Sequence, residues 1–120
     1  MFTFNHVCHN VVNVEQSVEF YKKYFGLVKV RELGDETRKL VFLAIPDTTD
    51  FTIELIWTSD HNEPFNLGEK SFHFAFYTDD FDRDFVAHKK AGIIVIEQLE
   101  KKIYFVEDPD GYRIEILEQR

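Results

Sequence analysis

The chain repeats itself, and the repeat constrains its fold more than any other feature. KLVFLAIPD from Lys39 matches KIYFVEDPD from Lys102, with the aromatic residue and the Pro-Asp pair in register. Upstream, GLVKVREL (26–33) lines up with GIIVIEQL (92–99); downstream, FTIELI around Glu54 answers YRIEIL around Glu115. Such self-similarity marks one supersecondary unit used twice. Each copy opens on an apolar strand containing a His (FNHVCHNVV and SFHFAFY) and passes through a polar helix start. In the first copy Asn13 is the expected N-cap, with Gln16 three residues on, and Val14, Val18, Tyr21 and Phe25 form a helical stripe ending at Gly26. In the second, Asp79 or Asp80 caps a helix that carries Phe81, Phe85 and Val86 and stops at Gly92.

Three strands follow in each copy, separated by turn signals at Leu33–Thr37, Pro46–Asp50 and the DPDG run Asp108–Gly111. The expected fold is therefore α+β: two tandem βαβββ modules, about 1–60 and 69–120, forming a curved, trough-like mixed sheet within a single domain. The stretch Asp60–Gly68 is the seam. With 120 residues, 44% hydrophobic and 16% aromatic, the chain can bury a core without covalent staples. The single Cys8 excludes an intramolecular disulfide, the N-terminus lacks the pattern of a signal peptide, and no apolar run approaches a membrane span. A formal charge of -8 opposes binding to a phosphate backbone. The expectation is a cytoplasmic protein with no nucleic-acid or membrane partner.

Strand parity can then be compared between the copies. Phe4, His6, Cys8 and Asn10 share one face; Phe51, Ile53, Leu55 and Trp57 point one way and Glu54 the other. The FHFAF run puts Phe72, Phe74 and Phe76 toward the core and leaves His73 opposite, while Ile114 and Ile116 leave Glu115 opposite. Each copy thus carries one His on its first strand and one Glu on its last, away from the clearest apolar face. Taken singly, these are ordinary strand histidines and solvated carboxylates. At equivalent positions of a duplicated unit, His6, Glu54, His73 and Glu115 make a four-ligand set for a divalent first-row metal. His9 on the opposite face, His61 in the seam and His88 on a helix surface are expected to be solvated or structural. Cys8 is expected to line the site rather than ligate.

The quoted segments, above all YFVEDPDGYRIEIL, resemble the vicinal oxygen chelate superfamily over nearly the whole chain, and glyoxalase I (lactoylglutathione lyase) within it. The resemblance implies that His6, Glu54, His73 and Glu115 hold one catalytic divalent metal per site, with nickel or cobalt favoured and zinc also suited. It implies isomerisation of a 2-oxoaldehyde thiol adduct, the hemithioacetal of methylglyoxal, to a 2-hydroxyacyl thioester, with Glu115 as first choice of base and Glu54 as second. It also implies a homodimer, the site lying within one chain or across two. Substrate contacts are expected from Asn10, Cys8, Thr58 and Lys101.

The sequence departs from that pattern where the thiol is recognised. Many glutathione-using members have an Arg four residues after the first His, and here Asn10 stands there; the loop Gln98–Lys102 is short. Read from Asn10, glutathione is expected to be a weaker partner than another small thiol, unless Lys101 or Lys102 reaches its carboxylate. Two other readings remain open. One is a metal-dependent relative such as an epimerase, against which Glu54 counts because a Gln is usual there. The other is a metal-free binding module, against which the intact ligand set counts.

Overall fold

The computed structural model describes residues 1–119, Thr49 by its backbone alone. The chain divides into two compact units, Met1–Phe65 and Asn66–Arg120. The first runs β1 (His6–Asn10), α1 (Val14–Phe25), β2 (Val28–Gly34), β3 (Arg38–Ile45) and β4 (Thr48–Thr58). The second runs β5 (His73–Thr78), α2 (Phe81–Ala91), β6 (Ile94–Gln98), a short 3-10 turn (Leu99–Lys101), β7 (Ile103–Glu107) and β8 (Arg113–Glu118). Each unit holds a four-stranded mixed sheet, ordered β1-β4-β3-β2 in one and β5-β8-β7-β6 in the other. In both, the first strand pairs parallel with the last and the remaining pairs are antiparallel. This is the βαβββ unit used twice.

The helices start and stop for local reasons. The Asn13 side chain accepts from the Gln16 amide at 3.0 Å, and Gly26 closes α1 in the left-handed region at φ 71°. Of the two candidate caps for α2, Asp80 is the one used, accepting from the Arg83 amide at 3.1 Å. The buried side of α1 consists of Val14, Ser17, Phe20 and Tyr21; Val18 and Phe25 are only half-buried. Two corrections apply to α2. Val86, expected in its apolar stripe, is 64% exposed, whereas His88, expected on the helix surface, is buried. Positions 81, 85 and 88 follow helical spacing and Val86 does not, so the helix turns His88 onto the sheet beside Phe81 and Phe85. There the Tyr104 hydroxyl lies 2.9 Å from His88 Nδ1.

The sheets bury the predicted parity, though not always to the predicted depth. Val41, Leu43, Ile53 and Leu55 fill the first core, and Tyr104, Val106, Ile114 and Ile116 the second. Phe74 and Phe76 are half-buried, and Phe72 precedes β5 and stands 69% exposed. Phe51, expected to point with Ile53 and Leu55, is 43% exposed in the first half of β4, where Phe4 meets it edge-on. The hairpin at Pro46 is tighter than expected: Ile45 already pairs with Thr48. The DPDG turn is held by the buried Asp108, whose Oδ1 accepts from the amides of Asp110 and Tyr112.

Candidate metal centre

In the first unit His6 lies at the start of β1 and Glu54 in the middle of β4. Parallel pairing sets Cys8 opposite Glu54 and His6 two residues away on the same face. The two side chains meet, with His6 Nε2 3.2 Å from Glu54 Oε2. The second unit repeats this: His73 Nε2 is 3.4 Å from Glu115 Oε1, across β5 and β8. Both carboxylates are mostly shielded and both imidazoles more open.

The other ring nitrogen of each imidazole is already engaged. His73 Nδ1 lies 2.9 Å from the Ser71 carbonyl oxygen, and His6 Nδ1 2.7 Å from Asn5 Oδ1. Such oxygens only accept, so Nδ1 carries the hydrogen and Nε2 presents a lone pair. A lone pair facing a carboxylate oxygen at hydrogen-bonding distance is repulsive unless a cation lies between them, either a proton or a metal ion. Orientation of a ligating His through its second nitrogen is usual at metal sites. The donors present, an imidazole nitrogen and a carboxylate oxygen in each unit, therefore fit a divalent first-row metal. Among the described residues, no group of three or more His, Cys, Asp or Glu side chains could hold an ion, so each unit offers a pair and Cys8 does not extend it.

An aromatic ring backs each pair. Phe42, paired in register with Glu54, has its ring 6.2 Å from that of His6; Phe105, paired with Glu115, stands edge-on to His73 at 5.2 Å. These are the aromatics kept in register by the repeat, and that matched position was the signal available for their role. Arg31 lies over the Phe42 ring, 5.6 Å from its centroid, a cation that pattern reading alone passed over. Of the expected substrate contacts, Cys8 and Asn10 are exposed on the His6 face of β1, and half-buried Thr58 ends β4 on the Glu54 face. Lys101 borders an open depression of about 390 Å³ together with Tyr77, Leu117 and Glu118. The remaining histidines are structural: His9 is buried near Tyr21, and His61 stacks on Phe65 at 4.0 Å.

A second polar cluster lies on the helix side of the second sheet. Burial raises the Asp84 carboxyl, but hydrogen bonds from Arg83 and Thr78, with the charges of Arg83 and His88, hold it below its ordinary value overall. Burial, and then the charge of Asp84, push the Tyr104 phenol far up, so it remains a hydroxyl.

Comparison with known proteins identifies the family. The model of the Glyoxalase/Bleomycin resistance protein/Dioxygenase superfamily matches residues 3–116. A lactoylglutathione lyase of Neisseria meningitidis is 30% identical over 123 residues, covering 96% of this chain and 89% of that protein. The lactoylglutathione lyase GLX1 of Arabidopsis thaliana is also 30% identical, but the chain spans only 44% of its length. Among solved structures, the trypanothione-dependent glyoxalase I of Leishmania major superposes with a TM-score of 0.86 at 25% identity, covering 98% of this chain and 87% of that one. With its repeated βαβββ units and its matched His–Glu pairs, the chain belongs to the glyoxalase/bleomycin resistance protein/dioxygenase superfamily.

Proposed function

We propose that the protein is a metal-dependent glyoxalase I-type isomerase, converting the hemithioacetal of methylglyoxal and a thiol to the 2-hydroxyacyl thioester. The observation that carries this reading is the duplicated pair, His6 with Glu54 and His73 with Glu115, each imidazole presenting Nε2 to its carboxylate. The similarity to lactoylglutathione lyases over most of the chain supports it. These four side chains would hold one divalent ion; the nitrogen and oxygen donors suit nickel, cobalt or zinc, and the resemblance of the compact chain to nickel- or cobalt-using members favours the first two. When bound, that ion would supply positive charge against the negative charge that develops on the substrate oxygens.

The chain's own residues do the rest. Glu115 takes the proton from the thiohemiacetal carbon and returns it to the neighbouring carbonyl carbon, while the hydroxyl proton passes to the other oxygen; no atom is gained or lost. Its shielded position on β8 limits water around the carboxylate. Glu54 is the second candidate for that proton. Phe42 and Phe105 stand beside the imidazoles of His6 and His73. The test is an assay of metal-loaded protein with methylglyoxal adducts of several thiols, read by thioester absorbance. Turnover supports the isomerase; absence of turnover with every thiol, despite bound metal, overturns it and favours another metal-dependent member of the superfamily.

A further inference from the structure

We propose that Lys70 is a positioning residue for His73: anchored on Glu107, it fixes the Ser71 carbonyl that holds the imidazole with Nε2 toward Glu115. The inference rests on the metal-centred reading above for what His73 then does; the positioning itself is a property of the chain. The two copies orient their histidines by different means. His6 Nδ1 lies 2.7 Å from the side-chain oxygen of its neighbour Asn5, whereas His73 Nδ1 lies 2.9 Å from a main-chain oxygen, that of Ser71. A main-chain carbonyl points where the dihedrals on either side of its planar peptide put it. On one side of Ser71, β5 begins at His73 and is held by its pairing with β8. On the other side stands Lys70.

Lys70 adopts the left-handed region at φ 60°, which a residue with a Cβ keeps only where its surroundings determine it. Here they do. Its amide donates to the Leu67 carbonyl at 3.2 Å, closing a turn in which the Asn66 side chain also accepts from the Gly68 amide at 2.9 Å. Its ammonium lies 3.3 Å from Glu107 Oε2. The side chain also lies on the DPDG turn: a Cβ on Gly111 would stand 3.2 Å from Lys70 Nζ and 3.5 Å from Leu67 Cδ1. That turn is closed by its own hydrogen bonds, from the Gly111 amide to the Asp108 carbonyl and from the Asp108 amide to the Tyr112 carbonyl, both at 3.0 Å. Lys70 and Phe72 thus meet Gly111, Tyr112 and Arg113 around a recess of only about 70 Å³.

The anchor is held from its other side as well. Glu107 pairs in register with Arg113, and its Oε2 lies 3.4 Å from Arg113 Nε as well as near Lys70. Arg113 is in turn the register partner of His73 on β5. Partners in register share a face, so His73, Arg113 and Glu107 form one row across β5, β8 and β7, beside the row that carries Glu115 and Phe105. A lone ion pair with a lysine 36% exposed would restrain little. A carboxylate shared by two cations, with one of them packed on a closed turn, restrains more.

The consequence is chemical. While the Ser71 carbonyl is fixed, the ring hydrogen stays on Nδ1 and Nε2 is the atom left to meet a cation. If that carbonyl swings away, the nearest acceptor is Glu115, and an Nε2–H donated to it would occupy both donors of the second unit at once.

The experiment follows the histidine rings of the full-length, metal-free chain by nitrogen-edited NMR and titrates the same proteins with nickel calorimetrically. In the wild-type chain the His73 Nδ1–H should be protected from exchange with water. Lys70→Gly keeps the left-handed backbone and removes the ammonium; Glu107→Gln leaves that backbone untouched and removes the charge of the anchor. Each should speed exchange of the His73 Nδ1–H by about tenfold and weaken nickel binding by about tenfold or more, and Lys70→Arg should restore both. The His6 Nδ1–H, held by Asn5, should not change, so a general loosening of the fold would be seen at both rings. An unprotected His73 Nδ1–H in the wild-type chain, unaltered exchange in both variants, equal acceleration at His6, or wild-type nickel affinity despite faster exchange would each overturn the inference. If the wild-type chain takes up no nickel while His73 exchange still depends on Lys70 and Glu107, the metal-centred reading fails and the positioning role stands.

Discussion

At the residue scale, the two His–Glu pairs are alike in distance and orienting oxygen, and the difference between them has to come from what each carboxylate does. Replacing Glu115 with Gln keeps a shape that can still offer an oxygen to a metal but removes the basic group. Glu115→Gln should therefore retain metal, measured by elemental analysis, while thioester formation falls by about two to four orders of magnitude. A nearly active Glu115→Gln beside a dead Glu54→Gln would reverse the two roles. His6→Ala and His73→Ala should each lose metal, since each removes the nitrogen donor of its unit; unchanged metal content in both would sink the ligand assignment. The four side chains were legible because strand alternation has a fixed period and the repeat tests it twice. Their orienting partners were not. Asn5 and Ser71 sit just outside the strands, and the Ser71 contact is made by a backbone carbonyl, which no side-chain pattern encodes.

At the element scale, turns and helix faces decide how firmly the site is presented. Gly34 takes φ 105°, and a Cβ there would stand 2.1 Å from the Arg38 carbonyl oxygen, so the hairpin between β2 and β3 requires glycine. Gly34→Ala should cost at least about 1–3 kcal/mol, read from denaturant midpoints, and should disturb the Arg38 end of β3 first. The polar cluster on α2 gives a pH signature. Asp84 is held below its ordinary value of 3.8 in the folded chain, so the unfolded chain binds more protons as pH falls past that value. Its stabilisation is present above the ordinary pKa and is lost as pH drops through the lower, folded one. Asp84→Asn should accordingly destabilise the protein at neutral pH by an amount that shrinks below about pH 4, seen in denaturation curves across pH. Equal loss at all pH values would mean that Asp84 acts only through neutral hydrogen bonds. Helix ends were readable from Asn13, Gly26 and Gly92, because caps are local chemistry. The burial of His88 was available from its spacing with Phe81 and Phe85, but its polarity argued for the surface until Tyr104 supplied a partner. The exposure of Phe72 and Phe51 was not readable, since parity gives the face of a strand and not how far the cover above it extends.

At the scale of the whole molecule, each unit brings one imidazole nitrogen and one carboxylate oxygen, half of the four donors a divalent first-row metal commonly takes. In the reading proposed above, a complete set draws on both kinds of unit, from one chain or from two chains of the homodimer that the family resemblance implies, and the repeat is compatible with either because the copies carry the same half-site. The two arrangements differ when defects are divided between chains. His6→Ala damages only the first half-site and Glu115→Gln only the second. Should sites be shared across a dimer, one mixed dimer would combine the two damaged halves in one site and the two intact halves in the other. Mixing the two inactive proteins under conditions that allow subunit exchange should then restore thioester formation, one intact site per mixed dimer. Should each site lie within a single chain, every chain in the mixture keeps one defect and activity stays at the level of the separate variants. Light scattering before and after mixing completes the test: recovery with dimers present assigns the site to two chains, no recovery with exchanged dimers assigns it to one, and a monomer at working concentration rejects the homodimer outright.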